Sequence, residues 1–175
     1  MPLNLIKTYS QLLDIVGLTV QQRTTSLKGI FKRDIEDNHN FKFQNKQIRP
    51  LKKEGQDSMD TLFHHLTTKD DKDEKGNLLG SRSFELARSQ RLHWVRHHIE
   101  ERKKGNVVIF SFKDRVKGKN IIRTYIYDVE QEYVIILEPQ RSGTDYYLLT
   151  AYQLNEPRGK EQIETKRNRK LEELY

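Results

Sequence analysis

The side chains best suited to chemistry in this chain are its histidines, and five of the six fall in two groups. His64 and His65 are adjacent, while His93 and His97 are four residues apart with His98 beside them. Positions i and i+4 share one face of a helix, so HWVRH would present two imidazoles side by side. An imidazole titrates near neutral pH and is the usual general acid or base. Cleavage of RNA by its own 2′-hydroxyl needs two such groups, one to take the 2′-hydroxyl proton and one to protonate the 5′-oxygen. Two rival uses of these residues remain open. His93 and His97 could ligate a metal, although HWVRH lacks the glutamate of HExxH and no third ligand follows. They could also be structural, packed against Trp94 and the tyrosines. His39, in an Asn/Asp-rich turn, fits a structural or solvated role.

A second set of polar groups emerges from strand periodicity. NVVIFSF (106–112), NIIRTYIYD (120–128), EYVIILEP (132–139) and DYYLLTAYQL (145–154) are rich in β-branched and aromatic residues. Turn-prone segments separate them, which predicts an antiparallel meander of four strands. Alternation divides each strand between two faces. If a helix covers the more apolar face, the other collects Ser111, Arg123, Glu138, Thr150 and Tyr152, unless a bulge inverts part of the pattern. A fixed guanidinium binds phosphate in fork geometry, and Thr and Tyr hydroxyls donate to phosphate oxygens. An ordinary half-exposed sheet face uses the same residue types.

The helix in question is predicted over residues 82–104, where Phe84, Arg88, Leu92, Val95 and Ile99 form a stripe and Arg102-Lys103-Lys104-Gly105 closes the end. Upstream, Tyr9, Leu12, Leu13 and Val16 have helical spacing over 8–18. Leu27, Ile30, Phe31 and Ile35 form a second apolar group, and Phe41–Arg49 reads as a hairpin stopped by Pro50. Residues 51–57 read as a linker, and Met59, Leu62, Phe63 and Leu66 mark a short helix. TKDDKDEKGN (68–77) reads as an exposed loop. The tail from Pro157 reads as a charged, weakly amphipathic helix.

Composition narrows the function classes. The 175 residues carry 32 Lys and Arg against 25 Asp and Glu, a net charge of +7. That is a mild basic balance, compatible with a polyanionic partner such as nucleic acid. The chain has no cysteine, which excludes disulfides, thiolate nucleophiles and cysteine-ligated metals. No stretch approaches the roughly 20 apolar residues of a membrane span, and the first residues lack the pattern of a signal peptide. The expectation is a soluble, cytoplasmic protein without a membrane partner.

The succession RSFELARSQRLHWVRHHIEE, VIFSFKDR, RTYIYD, YVIILEPQRS and YYLLTAYQL resembles the phage-associated branch of the barnase, EndoU, colicin and RelE-like RNase superfamily. The resemblance covers about residues 59–157. It implies an α+β fold, with N-terminal helices packed on a four-stranded antiparallel sheet. The domain layout is then an N-terminal helix and hairpin extension (1–55), a nuclease domain (56–157) and a charged C-terminal helix (158–175). It also implies a metal-independent, cofactor-free endoribonuclease that leaves a 2′,3′-cyclic phosphate, acting as a phage or prophage toxin or effector, with RNA and an immunity or phage protein as partners. By motif the helix histidines correspond to His93, His97 and His98, the basic strand residue to Arg123, and the last-strand hydroxyl and aromatic to Thr150 and Tyr152. Glu138 is expected to act as base or to orient Arg123, and Ser111, Tyr125, Arg141 and Arg91 are expected to bind substrate. The lysine site common in the EndoU branch has no counterpart here. The alternative function is a non-catalytic nucleic-acid- or protein-binding module of the same fold; a third is a metal-dependent hydrolase built on His93 and His97.

Overall fold

The computed structural model describes residues 4–175; residues 1–3 of the N-terminal segment lie outside the described residues. In chain order the elements are α1 (Val20–Phe31), β1 (Lys42–Phe43), β2 (Lys46–Pro50), α2 (Ser58–Thr67), β3 (Thr68–Lys72), β4 (Leu78–Phe84), α3 (Leu86–Ser89), α4 (Trp94–Ile99), β5 (Val107–Val116), β6 (Lys119–Asp128), β7 (Tyr133–Pro139), β8 (Asp145–Gln153) and α5 (Gly159–Asn168). A turn of 3₁₀ helix precedes α1 and a π-helical turn, Lys32–Glu36, extends it.

The α+β class holds, but the sheet is neither four-stranded nor wholly antiparallel. It has six strands in the order β1-β2-β8-β7-β6-β5. The meander β5 to β8 is antiparallel, as its β-branched and aromatic runs and short turns require. The correction comes from residues 42–50: instead of standing apart, β2 runs parallel to β8, with Ile48 opposite Tyr146. Phe43 and Ile48 thereby join the same core as the meander.

Two core clusters lie on the two faces. On the larger, Ile126, Ile135, Leu137 and Leu148 pack against Leu27 and Ile30 of α1, Leu66 of α2, and Trp94, Val95 and Ile99 of α4. On the smaller, Phe110, Tyr125, Tyr127, Val134 and Ile136 pack against Ile163 of α5.

The helix predicted over 82–104 divides. Residues 82–84 belong to β4, and Gln90–His93 form a turn between α3 and α4. The interruption has a tertiary cause. The Gln90 carbonyl accepts from Leu13 N at 3.0 Å, and Trp94 Nε1 donates to the Gln11 carbonyl at 3.2 Å. These same bonds explain why 8–18 is not the predicted helix: its backbone groups serve the α3–α4 turn, and Leu13 and Ile15 are buried by alternation. The charged segment 68–77 is exposed, yet it forms a hairpin with β4. Asp73 closes the turn by accepting from the backbone of Lys75 and Asn77. The tail is helical only to Asn168; beyond it, Leu171 N donates to the Ser111 carbonyl and draws the last residues around the β5 edge.

Candidate functional site

A concavity lies where α2 and the β3–β4 hairpin meet the strands of the sheet. Its volume is about 350 Å³, and its polar lining includes His65, Arg82, Arg88, Arg123, Thr150 and Tyr152. Small-molecule sites occupy roughly 300–1,000 Å³, so a nucleotide-sized group fits. Lys53 adds a further cation, Asp70 is the one acidic lining residue, and Leu62, Ile136 and Leu149 supply the apolar wall.

Strand alternation brings Arg123 and Tyr152 to the same face, and a bulge fixes Thr150. Thr150 stands opposite Ile136, but the next pair is Leu148 with Leu137. Leu149 is therefore the extra residue on β8. Thr150 and Tyr152 keep to the face of Arg123, while Leu148 and Tyr146 turn into the larger core. Strict alternation would have placed all four together.

Arg88 organises the rest. It extends from α3, and its Nη1 donates to the carbonyls of His65 (2.8 Å) and Thr68 (2.7 Å) and to Thr150 Oγ1 (3.2 Å). The guanidinium lies 5.2 Å from the centre of the Tyr152 ring. Its Nε is buried without a partner, and so is the Nε of Arg123. Among the described residues Arg91 Nε, both ring nitrogens of His93 and the Tyr127 hydroxyl share this condition outside the pocket. Arg82 is held by Thr68, through Nε to Oγ1 at 2.9 Å and Nη2 to the carbonyl at 2.8 Å, and is paired with Asp70.

Electrostatics suit an anion. Burial lowers the affinity of His65 for a proton, and the charges of Arg82 and Lys53 add to the effect. Its imidazole is accordingly neutral at pH 7 and able to accept a proton. Burial raises the Tyr152 phenol, with Arg88 opposing, so it remains a donor.

The structure brings together three of the residues expected from the sequence, Arg123, Thr150 and Tyr152, and separates the others. His93, His97 and His98 accompany α4 onto the opposite face. His98 is buried, with Nε2 2.8 Å from Asp128 Oδ2 and Nδ1 2.8 Å from the Trp94 carbonyl, so neither nitrogen is free for a substrate. Burial alone would raise the Asp128 carboxyl, but bonds from His98, the Gln131 backbone and Tyr9 hold it below its ordinary value. His97 stacks on Tyr9 at 4.4 Å; burial and the charges of His98, Arg102 and Lys103 push its pKa down to about 4. His93 is buried, and neither ring nitrogen has a partner. Among the described residues no three His, Asp or Glu side chains gather as metal ligands.

The remaining expectations are also displaced. Ser111 lies on the helix-covered face, its hydroxyl 2.8 Å from Thr124 Oγ1. Glu138 stands opposite Tyr147, outside the pocket lining. Arg141 is exposed in the β7–β8 turn, and Arg91 is engaged with the Ala87 carbonyl and the Trp94 ring. Tyr125 shares the face of Arg123 but is buried, stacked on Phe110 at 5.1 Å.

His65, Arg88, Arg82 and Lys53 are the basic lining residues that the sequence did not assign to the site. A trace was present for the first: His65 follows Thr61 by one helical turn, beside the Leu62–Leu66 stripe. For Arg88 the 82–104 stripe suggested only a helix face. Comparison with known proteins adds no assignment: no family model, curated protein or solved structure matches this chain. Among the described residues no helix is long and apolar enough to cross a membrane.

Proposed function

We propose that this protein is a metal-independent endoribonuclease whose site is the pocket between α2, the β3–β4 hairpin and the β6–β8 strands. The observation that carries this reading is the convergence of His65, Arg88, Arg123, Thr150 and Tyr152 on one concavity. In this mechanism Arg123 and Arg88 hold the non-bridging oxygens of the scissile phosphate, and Thr150 fixes its orientation. His65 takes the proton of the 2′-hydroxyl, and the 2′-oxygen attacks phosphorus. The bond to the 5′-oxygen breaks as Tyr152 protonates that oxygen, leaving a 2′,3′-cyclic phosphate and a 5′-hydroxyl. The resemblance to the barnase, EndoU, colicin and RelE-like superfamily favours the same chemistry and a phage-type toxin or effector role; the histidine, however, comes from α2 rather than α4. The test is incubation of end-labelled RNA with purified protein in EDTA. Wild type and His97→Ala are expected to cleave alike, whereas His65→Ala and Arg123→Ala lose at least about a hundredfold in rate. No cleavage by wild type, or equal cleavage by all four proteins, overturns the reading. Salt-dependent binding of RNA without turnover would assign the protein to the binding-module alternative.

A further inference from the structure

Arg123 has an acidic neighbour that ought to neutralise it. Asp114 of β5 is 6% exposed, and its Oδ2 lies 3.8 Å from Arg123 Nη1. That spacing is an ion pair without a hydrogen bond. The carboxylate is occupied from the other side. Oδ1 accepts from Lys166 Nζ at 2.7 Å, and Oδ2 accepts from the Tyr125 hydroxyl. Lys166 also donates to the Tyr125 oxygen at 2.9 Å. Burial, and then the Asp114 carboxylate, raise the Tyr125 phenol, so it keeps its proton and its role as donor. Lys166 belongs to α5, which Ile163 anchors on the same face of the sheet.

We infer that Lys166 is a positioning residue: by binding Asp114 it keeps that carboxylate off Arg123, so that the guanidinium retains free donors for an anion in the pocket. This rests on the pocket being the phosphodiester site and identifies what sets its affinity. The physical argument is a competition. Carboxylate and phosphate bind a guanidinium in the same fork geometry, and each can exclude the other. Asp114 Oδ2 already stands 3.8 Å from Arg123 Nη1, just beyond a hydrogen bond. Two close donors, the Lys166 ammonium and the Tyr125 hydroxyl, hold it where it is. Without the ammonium, Oδ1 loses its donor, and the cation left beside the carboxylate is Arg123, 3.8 Å from Oδ2. An incoming phosphate would then have to displace a buried ion pair. The C-terminal helix thus acts on the pocket without touching it: Lys166 is absent from the pocket lining.

The experiment measures binding of inorganic phosphate to the full chain by calorimetry, together with the Nε–H resonance of Arg123 by NMR. Lys166→Met is expected to weaken phosphate binding about tenfold and to move the Arg123 resonance as Asp114 closes on it. Asp114→Asn in the Lys166→Met background is expected to restore both, and Lys166→Arg to preserve both. Thermal melting checks that each variant is folded, and Lys166→Arg keeps the test informative if Lys166→Met is not. Long-range loss of one charge would weaken binding without moving the Arg123 resonance, and that result overturns the inference. Wild-type affinity in Lys166→Met overturns it alone, leaving the pocket as the anion site. Absence of phosphate binding by wild type overturns both this inference and the pocket assignment.

Discussion

Replacing Arg88 by methionine removes the side chain that joins α3 to α2, β3 and β8. Its Nη1 bonds to the Thr68 and His65 carbonyls measure 2.7 and 2.8 Å, and the contact with Thr150 Oγ1 measures 3.2 Å. Hydrogen bonds from a charged donor contribute about 1.5–3 kcal/mol each. A guanidinium over an aromatic ring adds about 0.5–2 kcal/mol. Two full bonds and the Tyr152 contact therefore sum to about 5 kcal/mol. Methionine retains the apolar stem, and water reaches part of the half-buried junction, which reduces the expected loss to about 3 kcal/mol. For a chain of 175 residues this lowers Tm by about 8 °C. Calorimetry at pH 7 reads the shift directly. Arg88→Lys keeps the charge but not the fork: an ammonium cannot supply the planar donor set, so it should recover less than half of the lost stability and should also weaken phosphate binding, since Arg88 is a phosphate ligand in the proposed site. An Arg88→Met protein melting within about 2 °C of wild type would refute the argument that this guanidinium holds the pocket walls together.

Other perturbations address the opposite face. His97 takes up a proton near pH 4 in the folded chain against 6.5 when unfolded, so the unfolded state binds more protons in that window. Stability is unaffected above pH 6.5 and falls as pH drops from 6.5 towards 4. The gap corresponds to at most about 3.4 kcal/mol, which solvent screening of this partly exposed ring reduces to about 1–2 kcal/mol. His97→Phe keeps the stack on Tyr9 and should remove that part of the slope in urea unfolding at pH 7.5 and 4.5; an unchanged slope contradicts the assignment. Asp128→Ala strands His98, Tyr9 and the Gln131 N–H and should cost about 3–5 kcal/mol by the same measurement. Ser111→Ala loses the bond to Thr124 and the one accepted from the Tyr175 N–H, and should cost about 1–2 kcal/mol. Its RNA cleavage rate should stay within about twofold of wild type, since Ser111 faces away from the pocket; a larger loss would place it in the site.

The meander was legible because its four strands are long, β-branched and separated by short turns, so local preference and tertiary pairing agree. The pairing of β2 with β8 was not: a five-residue strand that runs parallel to a partner about 100 residues away leaves no local trace in the sequence. The helix of 82–104 failed for a different reason. Its apolar spacing is regular through Phe84, Leu92, Val95 and Ile99, and neither Gly nor Pro interrupts it. The Gln90 carbonyl, which a continuous helix would offer to Trp94 N, accepts instead from Leu13 N, in a segment 77 residues earlier, and Trp94 Nε1 bonds the same segment at Gln11. Tertiary hydrogen bonding overrode two helical patterns at once, in 8–18 and in 82–104.

The same distinction accounts for the histidines. Type and spacing made His93, His97 and His98 attractive, but i, i+4 spacing reports a shared helix face and not what that face meets. Here it meets a core of Trp94, Tyr133 and Tyr9, where imidazoles are consumed by packing and by Asp128. Alternation gave better guidance on the sheet because it has only two outcomes, and Arg123 falls on the side opposite the larger core. Even there the bulge at Leu149 decided the result. By parity alone Thr150 would sit with Leu148 and Tyr146. Shifting register by one residue sends those two into the core and leaves Thr150 and Tyr152 beside a guanidinium. A pocket of this kind depends on an interruption of regular pairing, which is why the residues most useful to it stand where the local rules that predict strands give out.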